Sequence, residues 1–177
     1  DVDGIAYLRC PETGSLFLAD LPQPKVWARL LADVSRYRHS SEAFHTGLVQ
    51  SRTDNVYAPK LEWIQDTLRL QGLEKPRILE AVTAPSHFTR LLQESGAFAE
   101  VLTEDDMDLR MGGRASQADD PVHAAVLLES LDRVDDPAAL LRAVTDRLAV
   151  GGVVFVTALV ASGFDMAVLG LRNLYLY

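Results

Sequence analysis

Apolar residues recur along this chain with two different periods. Near the N-terminus, "YLRCPETGSLFLADLPQP" sets two short apolar runs on either side of the turn-forming residues Pro11 to Gly14, which predicts a small hairpin. "KVWARLLADVSRYR" comes next, with Val26, Leu30, Leu31 and Val34 on one helical face. "HSSEAFHTGLVQSRTDN" has no clear period and reads as loop with a helical turn. "PKLEWIQDTLRLQG" predicts a helix that starts at proline, stops at Gly72 and lines one face with Leu61, Ile64 and Leu68.

From Pro76 onward strand and helix alternate. "RILEAV" is an apolar run short enough for a buried strand, and "HFTRLLQESG" carries Phe88, Leu91 and Leu92 at helical spacing before Gly96. "FAEVLTE" predicts a second strand, "DDMDLRMGGRASQADDP" an irregular polar stretch, and "VHAAVLLE" a third strand whose lack of alternation implies burial on both faces. "DPAALLRAVTDRLAVGG" predicts a helix capped by Asp136, with Pro137 in its first turn, Leu140, Leu141, Val144 and Leu148 inward, and glycines at its stop. "VVFVTALV" is the fourth strand. Such alternation implies right-handed crossovers, hence an α/β fold: a mainly parallel sheet with helices on both faces. Two regions result, an N-terminal hairpin and helical segment over residues 1–74 and the α/β core over residues 75–177.

Composition narrows the partners. The chain has 177 residues, 48% of them hydrophobic, and 25 acidic against 17 basic side chains give a formal net charge of −8. That surface repels phosphate backbones and anionic lipid, and the arginines are scattered singly, so no nucleic-acid or membrane binding is expected. The expected partner is a small-molecule substrate or a protein. A lone cysteine, Cys10, excludes an internal disulfide framework and fits a reducing, cytoplasmic setting. No signal peptide is visible, and the longest apolar run, "GVVFVTALVA", is too short to span a bilayer. The chain begins without methionine and stops on "NLYLY", as a piece of a longer protein would.

In an open parallel sheet, ligands bind beyond the carboxyl ends of the strands, where strand order reverses. The candidates are therefore Ala81 to His87, Glu104 with Asp105, and Glu129 to Arg133. Glu104 lies about 20 residues past the first loop, where a carboxylate can accept hydrogen bonds from ribose hydroxyls. Plainer roles compete at each position. Glu104 and Asp105 could form a solvated strand end, Glu80 could cap the next helix or pair with an arginine, and His87 could be a capping or surface residue. His39, His45 and His123 share no ligand spacing with Cys10, so no metal is expected. Ser130 has no flanking glycine, so a nucleophile elbow is absent. Trp27, Trp63 and Phe88 read as core.

The run "VLLESLDRVDDPAALLRAVTDRLAVGGVVFVTALVASGFD" resembles the class I S-adenosylmethionine-dependent methyltransferases: a fourth strand, a Leu-Glu-His-plus-Asp-Pro turn, a helix and a Gly-Gly strand. The resemblance extends from about Lys75 to Gly170. "CPETGSLFLADLP" and "SGFDMAVLG" are similar to segments of the bacterial sugar-modifying group, in which a Cys-x-x-Cys knuckle precedes the fold. The resemblance implies a Rossmann-like sheet, S-adenosylmethionine as cofactor, and methyl transfer to a small molecule such as a sugar or nucleotide-sugar. By the same resemblance Glu80, Ala81, Val82, Ala84, Glu104, Asp105 and Glu129 would bind the cofactor, and the sheet's last two strands would lie beyond Tyr177.

The departures are specific. The family's first loop reads acid-x-Gly-x-Gly-x-Gly; here Glu80 keeps the acid, while Val82, Ala84 and Ser86 replace the glycines and Pro85 removes a donor. Val82 is the least suited, because a β-branched residue resists positive φ. Asp132 and Arg133 stand at the Glu-His positions, and Thr13 replaces the knuckle's second cysteine. Only 17 residues separate Glu104 from Val122, short for a further helix and strand. These departures motivate a second reading: a catalytically inactive methyltransferase-fold module that binds or scaffolds. A nicotinamide-dependent enzyme is weaker, since pyrophosphate binding relies on backbone N–H groups at a glycine turn.

Overall fold

The computed structural model describes residues 6–20, 42–81, 87–104, 121–131, 134 and 136–158. The chain divides into two compact units, one comprising Asp1–Glu42 with Leu159–Tyr177 and the other Ala43–Ala158. In the first, the predicted hairpin is present: β1 (Tyr7–Arg9) pairs antiparallel with β2 (Leu16–Leu18), in the register Tyr7↔Leu18 to Arg9↔Leu16. The Pro11–Gly14 turn closes it, with the Gly14 N–H donating to the Cys10 carbonyl and the Cys10 N–H to the Ser15 carbonyl. The helix expected around Val26, Leu30, Leu31 and Val34 lies outside the described residues.

The second unit holds a helical arm and the α/β core. Where the sequence predicts a loop with one helical turn, α1 (Glu42–Arg52) forms, running through a π-helical turn (Thr53–Tyr57) into α2 (Ala58–Leu70). The sequence conceals α1 because histidine, threonine and glycine interrupt any apolar period. The π turn also has a local cause. Thr53 Oγ1 donates to the Val49 carbonyl at 2.9 Å and Asn55 Nδ2 to the Ser51 carbonyl at 2.8 Å, and such back-bonding distorts a helical ladder. α2 matches its prediction, with Pro59 in the first turn and Leu61, Ile64 and Leu68 buried. It ends in a Schellman motif: Leu73 N–H bonds Leu68 O, Gly72 N–H bonds Arg69 O, and Gly72 takes a φ of 78°.

Four strands form one parallel sheet in the order β4-β3-β5-β6: β3 (Arg77–Ala81), β4 (Glu100–Glu104), β5 (Val122–Leu128) and β6 (Leu148–Thr157). Two helices connect them, α3 (His87–Glu94) from β3 toward β4 and α4 (Pro137–Thr145) from β5 to β6. The two connections step in opposite directions across the sheet. Right-handed crossovers must then put α3 and α4 on opposite faces, and they do. Phe88 and Leu92 of α3 join Leu61, Ile64 and Leu68 of α2 over Ile78, Ala124, Val126 and Phe155. Leu140 and Val144 of α4 cover Leu79, Ala81, Ala125 and Leu127 on the other face. Alternate residues of β5 thus feed two cores, which is why "VHAAVLLE" shows no apolar–polar alternation.

The structure corrects the sequence pattern at the end of α4 and at Trp63. α4 stops at Thr145, so Leu148 is not its last inward residue but the first of β6, paired with Val122. Gly151 and Gly152 lie inside β6 at an irregularity, because the register jumps from Val122↔Leu148 to Ala124↔Val153. Gly151 adopts a φ of 81°, and a Cβ on Gly152 would fall 2.9 Å from the Ala149 carbonyl oxygen. Trp63, expected in the core, is 45% exposed and sets its ring edge-on to Phe155 at 5.1 Å.

Candidate functional site

Strand order reverses between β3 and β5, since α3 leads to one side and α4 to the other. A crevice at the carboxyl ends of these strands is the expected consequence. Ala81 ends β3 directly beside Glu104, which ends β4, and Glu129 comes immediately after β5. Ser130 Oγ donates to the Ala81 carbonyl at 3.1 Å, tying the exit of β3 to the exit of β5. Of the residues assigned to a cofactor, Glu80, Ala81, Glu104 and Glu129 are described, whereas Val82, Ala84 and Asp105 lie outside the described residues, as do Pro85, Ser86, Asp132 and Arg133.

Each acid has a distinct setting. Glu80 is 3% exposed and its Oε2 accepts from Thr89 Oγ1 at 2.5 Å, in the first turn of α3, where negative charge also suits the helix dipole. Glu104 Oε1 accepts from Arg147 Nη1 at 2.6 Å, in an ion pair whose side chains are only 14% and 15% exposed. Glu104 Oε2 and Arg147 Nη2 are buried and have no hydrogen-bond partner among the described residues. Glu104 therefore does not form a solvated strand end. Arg147 lies in the turn between α4 and β6, 43 residues away in sequence, and nothing local announces the pair.

Glu129 has the most unusual backbone, a φ of 56°, the only positive value for a non-glycine among the described residues. Its N–H donates to the Thr157 carbonyl at 2.9 Å. Its carboxylate bridges two cations, Arg52 Nη2 at 3.3 Å from Oε2 and Lys60 Nζ at 3.4 Å from Oε1. Lys60 Nζ also lies 3.5 Å from Thr157 Oγ1, and the Arg52 guanidinium sits 5.4 Å from the Tyr57 ring centroid. α1 and α2 therefore contribute charge to the same rim of the sheet, and the π turn contributes the Tyr57 ring. This cluster is equally silent in the sequence, since α1 itself is hidden there.

His87 is exposed at the start of α3, whereas His123 Nδ1 accepts from the Arg77 N–H at 3.0 Å, a structural role. Among the described residues no three His, Cys, Asp or Glu side chains converge as metal ligands. In the hairpin, hydrogen bonds from the Thr13 side chain and from the Thr13 and Glu12 backbone push the Cys10 thiol pKa down. A separate cleft of about 380 Å³, lined by Gln65, Leu68, Leu73, Pro76 and Phe98 among others, opens at the amino ends of β3 and β4, away from the acids. No helix among the described residues is long and apolar enough to cross a membrane. The chain matches no family model, and no curated protein or solved structure matches it.

Proposed function

We propose that this chain is an S-adenosylmethionine-dependent methyltransferase-like protein acting on a small molecule, a sugar or nucleotide-sugar in the reading its sequence favours. The observation that carries the proposal is the reversal of strand order between β3 and β5, which brings Ala81, Glu104 and Glu129 to one rim. The residues present fit a ribose-bearing group. Glu104 Oε2 is a buried acceptor in want of a donor, and Arg147 Nη2 a buried donor in want of an acceptor. A hydroxyl can serve both, as few other groups can. In this reading Glu104 holds the ribose, Arg147 orients Glu104, and Glu80 ties the end of β3 to the first turn of α3 through Thr89.

The bound cofactor would supply a methyl group on a sulfonium, passed to the acceptor by in-line displacement. Such a reaction depends chiefly on proximity and orientation, so few side chains need to be chemically active. The same reading places the protein in the cytoplasm, a reducing setting that suits a chain with a single cysteine. Titration calorimetry with S-adenosylmethionine and its demethylated product provides the test. Saturable binding, weakened about tenfold in Glu104→Gln, is expected for a lost charge-assisted hydrogen bond. Absence of binding at millimolar ligand would overturn the proposal.

One observation favours the second reading, a fold retained for binding or scaffolding without the cofactor. The Glu104 carboxylate is already engaged by Arg147, and the loop sequence offers Val82 and Pro85 where glycines would let backbone approach a ligand. The same titration separates the two readings.

A further inference from the structure

The cleft of about 380 Å³ at the amino ends of β3 and β4 lies away from the strand ends that carry Ala81 and Glu104. Its volume falls in the range of small-molecule sites, about 300–1,000 Å³. The floor is apolar and already set by the fold. Leu68 and Pro76 are buried, while Leu73 and Phe98 pack against the core and line the cleft at the same time. The walls are fastened as well. The Leu73 N–H closes the Schellman turn of α2 on the Leu68 carbonyl, and the Ala99 N–H donates to the Pro76 carbonyl at 3.1 Å, clasping the entries of the two strands. Two polar side chains of the lining, the Gln65 amide and the Glu74 carboxylate, have no hydrogen bond or ion pair among the described residues. Arg69 lines the cleft too, but Asp66 Oδ1 engages its Nη1 at 2.7 Å, so that pair adds little net charge. Lys75 follows Glu74 in sequence, yet it forms no ion pair with it and is not part of the lining. The last turn of α2 contributes Leu68 and Arg69, and the partial negative charge at a helix carboxyl end favours a cation.

We infer that this cleft binds a small organic amine: an apolar body on the floor of Leu68, Leu73, Pro76 and Phe98, with its ammonium group at Glu74 and Gln65. An ammonium carries three donors and no acceptor, which suits a carboxylate and an amide oxygen side by side on one lining. A carboxylate or phosphate ligand would instead meet the Glu74 charge and the negative end of α2, so the cleft selects by sign as well as by shape. The net charge of −8 works in the same direction by attracting cations to the whole surface. The site stands on these residues alone and holds whether or not the crevice between β3 and β5 takes S-adenosylmethionine.

The test titrates the full chain at low ionic strength with three probes of one shape: 2-phenylethylamine, 2-phenylethanol and 3-phenylpropanoate. Amide chemical shifts in ¹H–¹⁵N spectra follow each titration. Saturable shifts centred on residues 65–76 and 97–98 are expected with millimolar amine, weaker ones with the alcohol and none with the carboxylate. Glu74→Gln should weaken the amine about fivefold, the worth of one partly solvated charge contact, and leave the alcohol unchanged. Ala97→Leu, which adds bulk to the lining, should weaken amine and alcohol together. The inference fails if the amine gives no saturable shifts in this region. It fails equally if amine and alcohol bind alike, or if Glu74→Gln leaves the amine affinity unchanged, since the cleft would then be apolar space without a preference for charge. Glu74 is exposed, so its substitution leaves the fold intact, and a thermal melt verifies this. If Ala97→Leu does not fold, the Glu74→Gln comparison decides alone.

Discussion

Glu104 and Arg147 meet in one 2.6 Å bond and bury their remaining polar atoms without partners among the described residues, so the pair is costly to half-remove. Replacing Glu104 with leucine strands a buried guanidinium and should destabilise the fold by about 2–4 kcal/mol. Combining Glu104→Leu with Arg147→Met removes both desolvation penalties, and the double variant should return to within about 1 kcal/mol of wild type. Urea denaturation of the three variants measures this directly, and additive losses would show that the pair is not coupled. A second single-residue effect concerns Cys10, whose pKa is lowered first by the Thr13 side chain and then by the backbone N–H groups of Thr13 and Glu12. A lowered pKa means that the thiolate appears at lower pH. The rate of alkylation by iodoacetamide should therefore rise with a midpoint below that of an unperturbed cysteine, and Thr13→Val should move the midpoint upward. An unchanged profile in Thr13→Val would remove the hydrogen bond as the cause.

Two glycines in the α/β unit fail on substitution for different reasons, which distinguishes the devices that end α2 and begin β6. Gly72 has open space around a would-be Cβ but a φ of 78°, so Gly72→Ala should cost about 1 kcal/mol through backbone strain alone. Gly152 has no left-handed φ, yet its Cβ would press on the Ala149 and His123 carbonyl oxygens at 2.9 and 3.1 Å. Both are backbone atoms and cannot swing aside, so Gly152→Ala should cost more than Gly72→Ala, about 2 kcal/mol, with the larger drop in thermal midpoint. The Gly151–Gly152 pair also marks where the pattern of the chain misleads. A helix stop and a strand irregularity both call for glycine, and only the pairing of Leu148 with Val122 distinguishes them. The hairpin is legible from its turn residues Pro11 to Gly14, and elements whose apolar period matches their burial are legible too: α2, the strands β3, β4 and β5, and the capped start of α4, where Asp136 Oδ1 accepts from the Ala139 N–H at 2.8 Å. α1 is not legible, because "EAFHTGLVQSR" carries no apolar stripe and its helicity depends on its continuation into the π turn and α2. The candidate site divides in the same way. The acids at strand ends can be read from the chain, but Arg147, Arg52 and Lys60 reach them across 43 to 77 residues of sequence, and no local spacing encodes such pairings.

For the molecule as a whole, the distribution of the core determines what folds. Every buried residue in the two hydrophobic clusters lies between Leu61 and Phe155, and α2, α3 and α4 together cover both faces of the four-stranded sheet. All of these elements belong to the compact unit Ala43–Ala158. A fragment of those 116 residues is large enough to sustain one core, since many domains of about 55–65 residues do so alone. It also closes every parallel pairing of the described sheet, β3 with β4 and β5, and β5 with β6, without a strand from elsewhere. The fragment should therefore show a single cooperative urea transition coincident by far-ultraviolet circular dichroism and tryptophan fluorescence, with Trp63 reporting on the packing of α2 against β6 through Phe155. Its ligand behaviour is set by the same distribution. Glu80, Glu104, Arg147 and Glu129 are all inside it, so titration with S-adenosylmethionine should give the same affinity in the fragment as in the full chain. A fragment that populates only a molten state, retaining far-ultraviolet signal with no cooperative fluorescence change, would show that the core between Leu61 and Phe155 is insufficient by itself.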